Sequence, residues 1–331
     1  MIAPSPAEQP DDTADITDGG ERVTHLQRNH VFYAHLSLYA FASQWASGAQ
    51  VLDAGSGSGY GSAYLAEAGA ARVWGIDVSP KAVEFSRHHF DRPHLTFQVM
   101  DLSGPLAFAD RQFDLIYTSN TLEHIANVAV FLREAWRLLA PGGRLVLAVP
   151  PIVTDDQLCL NLINPYHVNL WSPRQWQHAL GQYFAQIEPY VHGIRRLGTD
   201  FESLAPEELA DVTEKSFVFE PTPVDLMYAQ PTLTAVFVLS QPRAVADLPA
   251  AGAPMSFVDD SFTRAPGYID PALRRRLRRQ FDRFQPPPPA PPKELTLLQK
   301  TVIIARQEGP LALAKSIATY PLRLWRTLRG K

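Results

Sequence analysis

The sequence predicts an α/β fold with a doubly wound, Rossmann-like sheet, and three features support this prediction. Short apolar runs alternate with amphipathic segments between about residues 50 and 150, a glycine-rich turn follows the first apolar run, and acidic residues follow the next two. Strands and helices in strict rotation form right-handed βαβ units, whose helices cover both faces of a parallel sheet. We therefore expect one large domain over residues 23–242.

Composition narrows the classes of function. The chain has 331 residues, of which 46% are hydrophobic, enough to bury a full α/β core with an appendage. A net charge of −4 gives no general basic field, so no nucleic-acid partner is predicted. Cys159 is the single cysteine, and no Cys/His cluster has zinc-ligand spacing, which favours a reducing, cytoplasmic compartment and no metal. Because no run of 18 apolar residues occurs, we expect no ordinary transmembrane helix.

The predicted elements follow one another from the N-terminus. Residues 1–22 lack the basic and apolar regions of a secretory signal and are predicted to be a disordered lead-in. Apolar residues at helical spacing then predict a helix over residues 24–46. The predicted strands are "AQVLDAG", "ARVWGIDVS", "LTFQVMD", "FDLIYTSN" and "RLVLAVP", and the helices between them are "SAYLAEAGA", "PKAVEFSRHHF" and "VAVFLREAWRLLA". Ser79 and Pro80 suit the N-cap and first position of the second of these helices.

Beyond Pro151 the alternation is less regular. A loop, "TDDQLCLNLINPYHVNLW", is predicted before the helix "SPRQWQHALG" and a strand near "FAQIEPYVHG". A closing strand, "PTLTAVFVLSQ", ends the domain at about residue 242, and residues of about 194–230 are predicted to be an insertion over the ligand edge of the sheet, without a clear fold.

The C-terminal part predicts a helical appendage. Residues 243–292 are predicted to contain a linker, a basic helix and a polyproline spacer, and the proline run favours an extended, semi-rigid conformation. Residues 293–331, with apolar residues among lysines and arginines, are predicted to form a basic amphipathic helical tail. Such a tail suits an anionic membrane surface, a protein partner or this protein's own domain. The basic helix itself is expected to be a solvated face rather than a phosphate site.

The turn "VLDAGSGSGYG" lets the backbone approach a ligand closely at the start of a helix. A dinucleotide fingerprint requires a third glycine where this chain has Tyr60 or Ser62, so the spacing disfavours NAD. Asp53 precedes the first glycine by two residues, where a carboxylate would repel a pyrophosphate but would suit an amino group.

Two further carboxylates extend this site. Asp77 ends the second strand, where an acid can accept both ribose hydroxyls. Asp101 follows the third strand and is placed to meet the adenine edge, with Met100 and Leu102 as apolar walls. Each acid alone is also explained as a turn or cap residue, but together with the glycine turn they predict a nucleoside pocket.

These motifs resemble a known family. The stretches "VLDAGSGSGYG", "GIDVS", "FDLIYTSNTLEHI" and "LLAPGGRLVLAVP" are similar to successive motifs of the class I S-adenosylmethionine-dependent methyltransferases, in particular the small-molecule branch of ubiquinone-biosynthesis type. The resemblance covers about residues 25–240. It implies a seven-stranded sheet whose last strand is antiparallel, with S-adenosylmethionine bound across the carboxyl ends of the strands.

The resemblance also implies roles for single residues of the cofactor site. Gly55, Ser56 and Gly57 would contact the methionine arm of the cofactor, and Asp53 would contact its amino end. Asp77 would hold the ribose. Val78 and Leu102 would contact the two faces of the adenine, and Asp101 would bond to its amino group. Asn120 would lie beneath the sulfonium. Tyr39, in "HLSLYAFA" with His35 one turn earlier, would close over the methionine end, although an aromatic core stripe explains it equally well.

Two histidines are candidates for catalysis. Methyl transfer chiefly requires the acceptor to be held at near-attack distance, and a general base adds to the rate when the acceptor is a hydroxyl. His124, after the fourth strand, and His167, after the fifth, would face that acceptor. The alternatives are that His124 braces Glu123 and that His167 caps the next helix. Glu123 is expected to be structural rather than a metal ligand, because no second carboxylate accompanies it.

The sequence therefore predicts an S-adenosylmethionine-dependent methyltransferase that acts on a small molecule or glycan, at a hydroxyl oxygen. The C-terminal tail resembles those of enzymes of surface-glycan assembly, which favours a glycan or lipid-linked sugar. A catalytically silent cofactor-binding scaffold, or an NAD-linked oxidoreductase, are the alternatives.

Overall fold

The computed structural model describes residues 22–258, except residues 165, 198–200, 202–203, 230–231, 254 and 257. Within the predicted lead-in only residue 22 is described. The predicted basic helix, polyproline spacer and amphipathic tail lie outside the described residues.

One mixed sheet of eight strands forms the centre of the described region, in the order β3-β2-β1-β4-β5-β8-β6-β7. Its strands are β1 Gln50–Ala54, β2 Arg72–Asp77, β3 Leu95–Val99, β4 Phe113–Ser119, β5 Leu139–Val149, β6 Phe184–Ile194, β7 Phe217–Pro221 and β8 Thr234–Pro242. The first five strands pair in parallel, and β8 is antiparallel to both β5 and β6. This topology confirms the predicted doubly wound α/β class, and β8 is the expected antiparallel closing strand.

Seven α-helices accompany the sheet in the described region, and their N-termini explain where they begin. They are α1 His30–Ala42, α2 Tyr60–Glu67, α3 Pro80–His89, α4 Val128–Leu138, α5 Asp155–Ile163, α6 Pro173–Gly181 and α7 Pro206–Ala210. Helix α1 begins at residue 30 rather than 24 because the Asn29 side chain accepts a hydrogen bond from the amide of Phe32. Ser79 caps α3 as predicted, and Ser172 caps α6 in a reciprocal capping box with Gln175. The core consists of two large apolar clusters, one on each face of the sheet. Successive side chains of β1 point to opposite faces, so Leu52 belongs to one cluster and Val51 to the other.

The structure adds two elements to those predicted, and β5 begins at Leu139, before the predicted turn, rather than after it. The insertion contains β7, which pairs antiparallel with β6 and makes the sheet eight-stranded rather than seven-stranded. The segment predicted as a loop before α6 contains α5, whose N-cap Thr154 accepts a hydrogen bond from the amide of Gln157. Leu162 of α5 is buried in a small cluster with Ile152, which supplies the apolar contact that a short helix needs.

The topology brings the connections after β1 to β5 to one edge of the sheet, because the carboxyl ends of parallel strands meet there. No helix in the described part of the chain combines the length and apolar character needed to cross a membrane.

Candidate functional site

A cavity of about 880 Å³ lies at the carboxyl edge of the sheet. It brings together eleven residues that the sequence assigns to the site: Tyr39, Gly55, Ser56, Gly57, Asp77, Val78, Asp101, Leu102, Asn120, His124 and His167. Asp53 is fully buried and is not among the lining residues. The sequence therefore predicts eleven of the residues that line the cavity, although these residues are far apart along the chain.

The glycine turn between β1 and α2 is held against the end of β2. The amides of Gly55 and Ser56 donate to the carbonyl oxygen of Ile76 at 2.8 and 2.9 Å. Gly55 has a φ of +87°, and a Cβ placed there would lie 2.4 Å from Oγ1 of Thr121, so the turn needs glycine both for its backbone and for its close approach to the β4 loop. Gly57 also has a positive φ, of +54°, but a Cβ there would meet no atom within 4 Å.

Asp77 is fixed at the end of β2 by backbone donors. Its Oδ2 accepts a hydrogen bond of 3.0 Å from the amide of Gly57, and its Oδ1 accepts one of 2.9 Å from the amide of Ser79. Arg22 forms an ion pair with Oδ1 at 3.1 Å and also lines the cavity. The sequence places Arg22 in the lead-in, outside the site, because no local pattern around it indicates this long-range contact.

The predicted adenine end combines apolar walls with one acid. Leu102 is buried, whereas the side chain of Val78 is 60% exposed at the cavity. Oδ1 of Asp101 accepts a hydrogen bond of 2.8 Å from the amide of Ser103. Asp101 therefore stabilises its own turn, in agreement with the alternative interpretation, while its side chain still lines the cavity.

The predicted methionine end lies beside a buried hydrogen-bonded group. The hydroxyl of Tyr39 donates to Oδ1 of Asp53 at 3.3 Å, and Ser62 Oγ donates to Oδ2 at 2.5 Å. Burial raises the pKa of Asp53 to about 7, although the hydrogen bonds from Ser62 and Tyr39 act in the opposite direction. The ring of Tyr39 packs 4.3 Å from that of Tyr117, so Tyr39 is both part of the aromatic core and a cavity residue.

Asn120 follows β4 in a left-handed conformation, with a φ of +46°. Its backbone amide donates to the carbonyl oxygen of Ala148 at 2.9 Å, and its Nδ2 lies 3.4 Å from Nδ1 of His35. A non-glycine residue in this conformation is strained, and such strain is concentrated at functional sites. His35 also lines the cavity.

His124 and His167 both line the cavity, and their ring centroids are 4.8 Å apart. The main chain explains this proximity, because the carbonyl oxygen of Glu123 accepts hydrogen bonds from the amides of Val168 and Asn169, at 2.7 and 3.0 Å. Nε2 of His124 lies 4.0 Å from Oε1 of Glu123. The alternative that His167 caps α6 is wrong, since Ser172 fills that position.

The residues present fit S-adenosylmethionine. Within the described part of the chain, the buried Oγ of Ser56 has no hydrogen-bond partner, and Ser56 lines the cavity, so a ligand atom can satisfy it. The space beside Gly57 is open, and the Asp77 carboxylate is held at the wall. A buried carboxylate, Asp53, lies behind Tyr39, a setting that suits an amino group and repels a pyrophosphate.

Comparisons with known proteins agree with this geometry. A family model described as a methyltransferase domain matches residues 52–147. Demethylmenaquinone methyltransferase of Tropheryma whipplei (strain Twist) is 39% identical over 102 residues, which cover 30% of this chain and 41% of that protein. The chain thus spans about two fifths of the length of this relative. The ubiquinone biosynthesis O-methyltransferase of Methylocella silvestris is 32% identical over 204 residues, which cover 59% of this chain and 72% of that protein.

A solved S-adenosylmethionine-dependent methyltransferase from Mesorhizobium loti aligns with a TM-score of 0.46 and 20% identity, over 64% of this chain and all of that chain (100%). The relative from Methylocella silvestris combines more than 30% identity with coverage of more than two thirds of its length. By this relationship, the chain belongs to the class I S-adenosylmethionine-dependent methyltransferases, the family whose cofactor is S-adenosylmethionine.

Proposed function

We propose that this protein transfers the methyl group of S-adenosylmethionine to a hydroxyl oxygen of a small-molecule acceptor. The observation that carries this proposal is that the glycine turn, Asp77 and the His124–His167 pair line one continuous cavity. Cofactor and acceptor can therefore occupy opposite ends of the same space. When bound, S-adenosylmethionine supplies an electrophilic methyl group on its sulfonium.

The residues of this chain would bind and orient the reactants. Asp77 would accept hydrogen bonds from the ribose, and Val78 and Leu102 would contact the adenine, with Asp101 at its edge. Gly55, Ser56 and Gly57 would hold the methionine arm, and Tyr39 with the buried Asp53 would receive its amino group. Asn120 would contact the sulfonium end of the cofactor. Holding two reactants in a near-attack geometry contributes about 7–11 kcal/mol to such a reaction, so positioning is the chief task of these residues.

The two histidines are oriented to act on an acceptor hydroxyl. Nδ1 of His124 lies 3.1 Å from the carbonyl oxygen of Tyr166, which can only accept, so this Nδ1 carries the proton and donates it to the hydrogen bond. Nδ1 of His167 lies 2.7 Å from Oδ1 of Asn161 and donates in the same way. Each neutral imidazole therefore has its lone pair at Nε2, with which it can remove a hydroxyl proton.

The methyl-transfer proposal is tested with labelled cofactor. Protein is incubated with methyl-labelled S-adenosylmethionine and pooled quinone, lipid and glycan extracts, and labelled products are identified by mass spectrometry. His167→Ala is expected to lower turnover about 10²- to 10⁴-fold, the usual contribution of a positioned proton acceptor, with affinity for S-adenosylhomocysteine near wild type. His94→Ala, an exposed histidine outside the cavity, is the control. Unchanged turnover in His167→Ala would remove that residue from the mechanism, and no labelled product from any extract would favour a cofactor-binding scaffold.

Acceptor class and location form the finer part of the proposal. The relative from Methylocella silvestris is named as an O-methyltransferase of ubiquinone biosynthesis, which supports a hydroxyl acceptor on a small molecule. A glycan or lipid-linked sugar is retained as an acceptor because the C-terminal sequence resembles tails of glycan-assembly enzymes. We place the protein in the cytoplasm, with the basic tail on a membrane surface or a protein partner. Flotation with anionic vesicles of the full chain against a chain ending at Gln285 tests the tail, and equal flotation of the two would contradict a membrane role.

A further inference from the structure

Three side chains at the acceptor end of the cavity converge in a way that the sequence alone does not predict. The ligand atoms of Glu123, His124 and His167 all lie within 4.8 Å of one another. Glu123 and His124 belong to the 3₁₀ helix Leu122–His124 after β4, whereas His167 comes from the loop after α5. Two imidazoles and one carboxylate are the donor set of catalytic zinc sites and of non-haem iron sites.

The hydrogen bonds around the two histidines prepare their Nε2 atoms to bind a cation. The carbonyl oxygen of Tyr166 fixes the proton of His124 on Nδ1. Nδ2 of Asn161 donates to the carbonyl oxygen of Gln157 at 2.8 Å, which orients the amide so that its Oδ1 accepts from Nδ1 of His167. Metal-binding histidines in proteins commonly donate their other ring N–H to a carbonyl or carboxylate, which sets the tautomer and the ring orientation.

The main chain holds these donors together. Besides the two amides that donate to the carbonyl oxygen of Glu123, Nδ2 of the buried Asn169 donates to the carbonyl oxygens of Leu122 and Ile125, at 2.7 and 2.6 Å. The loop that carries His167 is thereby attached to both ends of the 3₁₀ helix that carries Glu123 and His124. The Glu123 side chain is 2% exposed and that of His124 is 28% exposed, so a bound ion would have a protein side and an open side.

We propose that Glu123, His124 and His167 form a binding site for a first-row divalent transition-metal ion at the acceptor end of the cavity. Metal-to-donor distances of about 2.0–2.2 Å require the three donors to approach one another slightly, which rotation of the partly exposed imidazoles allows. The three protein donors leave positions on the ion that face the cavity. An acceptor hydroxyl binds there.

The role of the ion rests on the proposed methyl-transfer function, whereas its binding does not. Binding to a divalent ion would lower the pKa of the acceptor hydroxyl, so that its proton passes more readily to water. The acceptor oxygen then forms a bond to the methyl carbon while the bond between that carbon and sulfur breaks. The electron pair of the broken bond stays on sulfur, which becomes the neutral thioether of S-adenosylhomocysteine. In this form of the reaction, His124 and His167 ionise the acceptor through the metal rather than by taking its proton themselves.

The test uses Co(II) as the probe, because its visible absorption reports the number and type of donors. Full-length protein without a polyhistidine tag is treated with EDTA, dialysed and titrated with CoCl₂. We expect one equivalent to bind with a ligand-field spectrum of nitrogen and oxygen donors. His124→Ala, His167→Ala and Glu123→Gln should each lose this spectrum, and Asn161→Ala should weaken binding about 10- to 100-fold by releasing His167. His94→Ala is the matched control and should bind as the wild type does.

Each outcome decides the inference. Failure of the wild type to bind Co(II) would overturn it, as would an unchanged spectrum in both His167→Ala and Glu123→Gln. Calorimetric titration of the same metal-free samples with S-adenosylhomocysteine shows whether each variant is folded. If a buried variant such as Glu123→Gln fails that check, His167→Ala, in the partly exposed loop, decides the question alone. A wild-type protein that binds S-adenosylhomocysteine but not Co(II) would contradict only this metal site, whereas a wild-type protein that does not bind S-adenosylhomocysteine would contradict the proposed function.

Discussion

The backbone amide of Gly57 donates a hydrogen bond of 3.0 Å to Oδ2 of Asp77, a residue 20 positions later in the chain. This contact joins the glycine turn after β1 to the carboxyl end of β2. The two motifs that we propose for the methionine arm and the ribose are therefore joined directly rather than independent. A change in either residue should affect the binding of the whole cofactor.

Replacement of Asp77 by alanine is expected to weaken the binding of S-adenosylhomocysteine by at least about tenfold. It removes the proposed hydrogen-bond acceptor for the ribose and leaves the Gly57 amide without its carboxylate, and a hydrogen bond to a charged group contributes about 1.5–3 kcal/mol. Isothermal titration calorimetry measures the effect, with Asp91→Ala, at an exposed site outside the cavity, as the control. Equal affinity in Asp77→Ala and the wild type would rule out the assignment of Asp77 to the ribose.

Substitution of two glycines with positive φ distinguishes the cost of backbone strain from the cost of a steric clash. Gly55 and Gly142 have φ values of +87° and +80°, but only at Gly55 does an added Cβ overlap a neighbour, the side chain of Thr121. Gly142→Ala should cost about 1–2 kcal/mol of stability through its backbone conformation. Gly55→Ala should cost more and should also weaken S-adenosylhomocysteine binding. Denaturant unfolding and calorimetry on both variants provide the test, and equal losses would show that contact with Thr121 is unimportant.

Cofactor binding should be linked to the ionisation of Asp53. Burial raises the pKa of this carboxyl from 3.8 to about 7, so its charged form is disfavoured in the ligand-free protein, and its contribution to stability declines as the pH rises from about 4 towards about 7. A cationic amino group nearby favours the carboxylate, so binding should release a proton at about pH 6 and strengthen as the pH rises to about 7.

Calorimetry in buffers of different ionisation enthalpy measures that proton release. Asp53→Asn should abolish it. Tyr39→Phe removes a hydrogen bond that lowers the pKa of Asp53, so it should move the release to higher pH. Proton release that persists unchanged in Asp53→Asn would assign the linkage to another group.

A buried histidine away from the cavity should control stability in acid. His192 is fully buried, its ring stacks on Phe219 with centroids 4.6 Å apart, and Nε2 lies 3.0 Å from Oγ of Ser37. Burial, with a smaller effect of His35, lowers its pKa from 6.5 to about 3. His192 stays neutral in the folded protein, whereas in the unfolded chain it gains a proton below about pH 6.5. The free energy of unfolding is therefore highest above about pH 6.5 and falls by about 1.4 kcal/mol for each pH unit below it.

Urea unfolding between pH 6.5 and pH 4 tests the role of His192. In His192→Phe, the slope of the free energy of unfolding against pH over this range should be smaller than in the wild type by about 1.4 kcal/mol per pH unit. Ser37 keeps a hydrogen-bond partner in this variant, because its hydroxyl donates to the carbonyl oxygen of Ala34 at 2.7 Å. A profile with the wild-type slope would show that His192 is not the group that titrates.

The sequence predicts the parallel half of the fold well because its elements are defined locally. Helix α3, for example, follows from a serine cap and a proline at its first position, and both are readable without tertiary contacts. Strand β7 cannot be predicted in this way, because its place depends on pairing with β6, and Phe217–Pro221 has no distinctive pattern of its own. Helix α5 is not predicted because its cap, Thr154, lies in a polar stretch that also suits a loop.

The residues of the candidate site also fall into two groups, those that the sequence predicts and those that depend on tertiary contacts. The residues at strand ends are predicted because parallel topology brings them to one edge. The contact between Arg22 and Asp77, and the pairing of His124 with His167, depend on hydrogen bonds between distant segments, which no spacing along the chain encodes. The position of Asp53 behind Tyr39, outside the cavity lining, likewise follows only from the packing of α1 against the sheet.

The most direct test of the cofactor site is a calorimetric titration of the wild-type protein with S-adenosylmethionine, followed by the same titration with NADH. We expect one equivalent of S-adenosylmethionine to bind and no heat from NADH. Binding of NADH with no response to S-adenosylmethionine would contradict the assignment of the glycine turn, Asp77 and Asp101 to an adenosyl-sulfonium ligand.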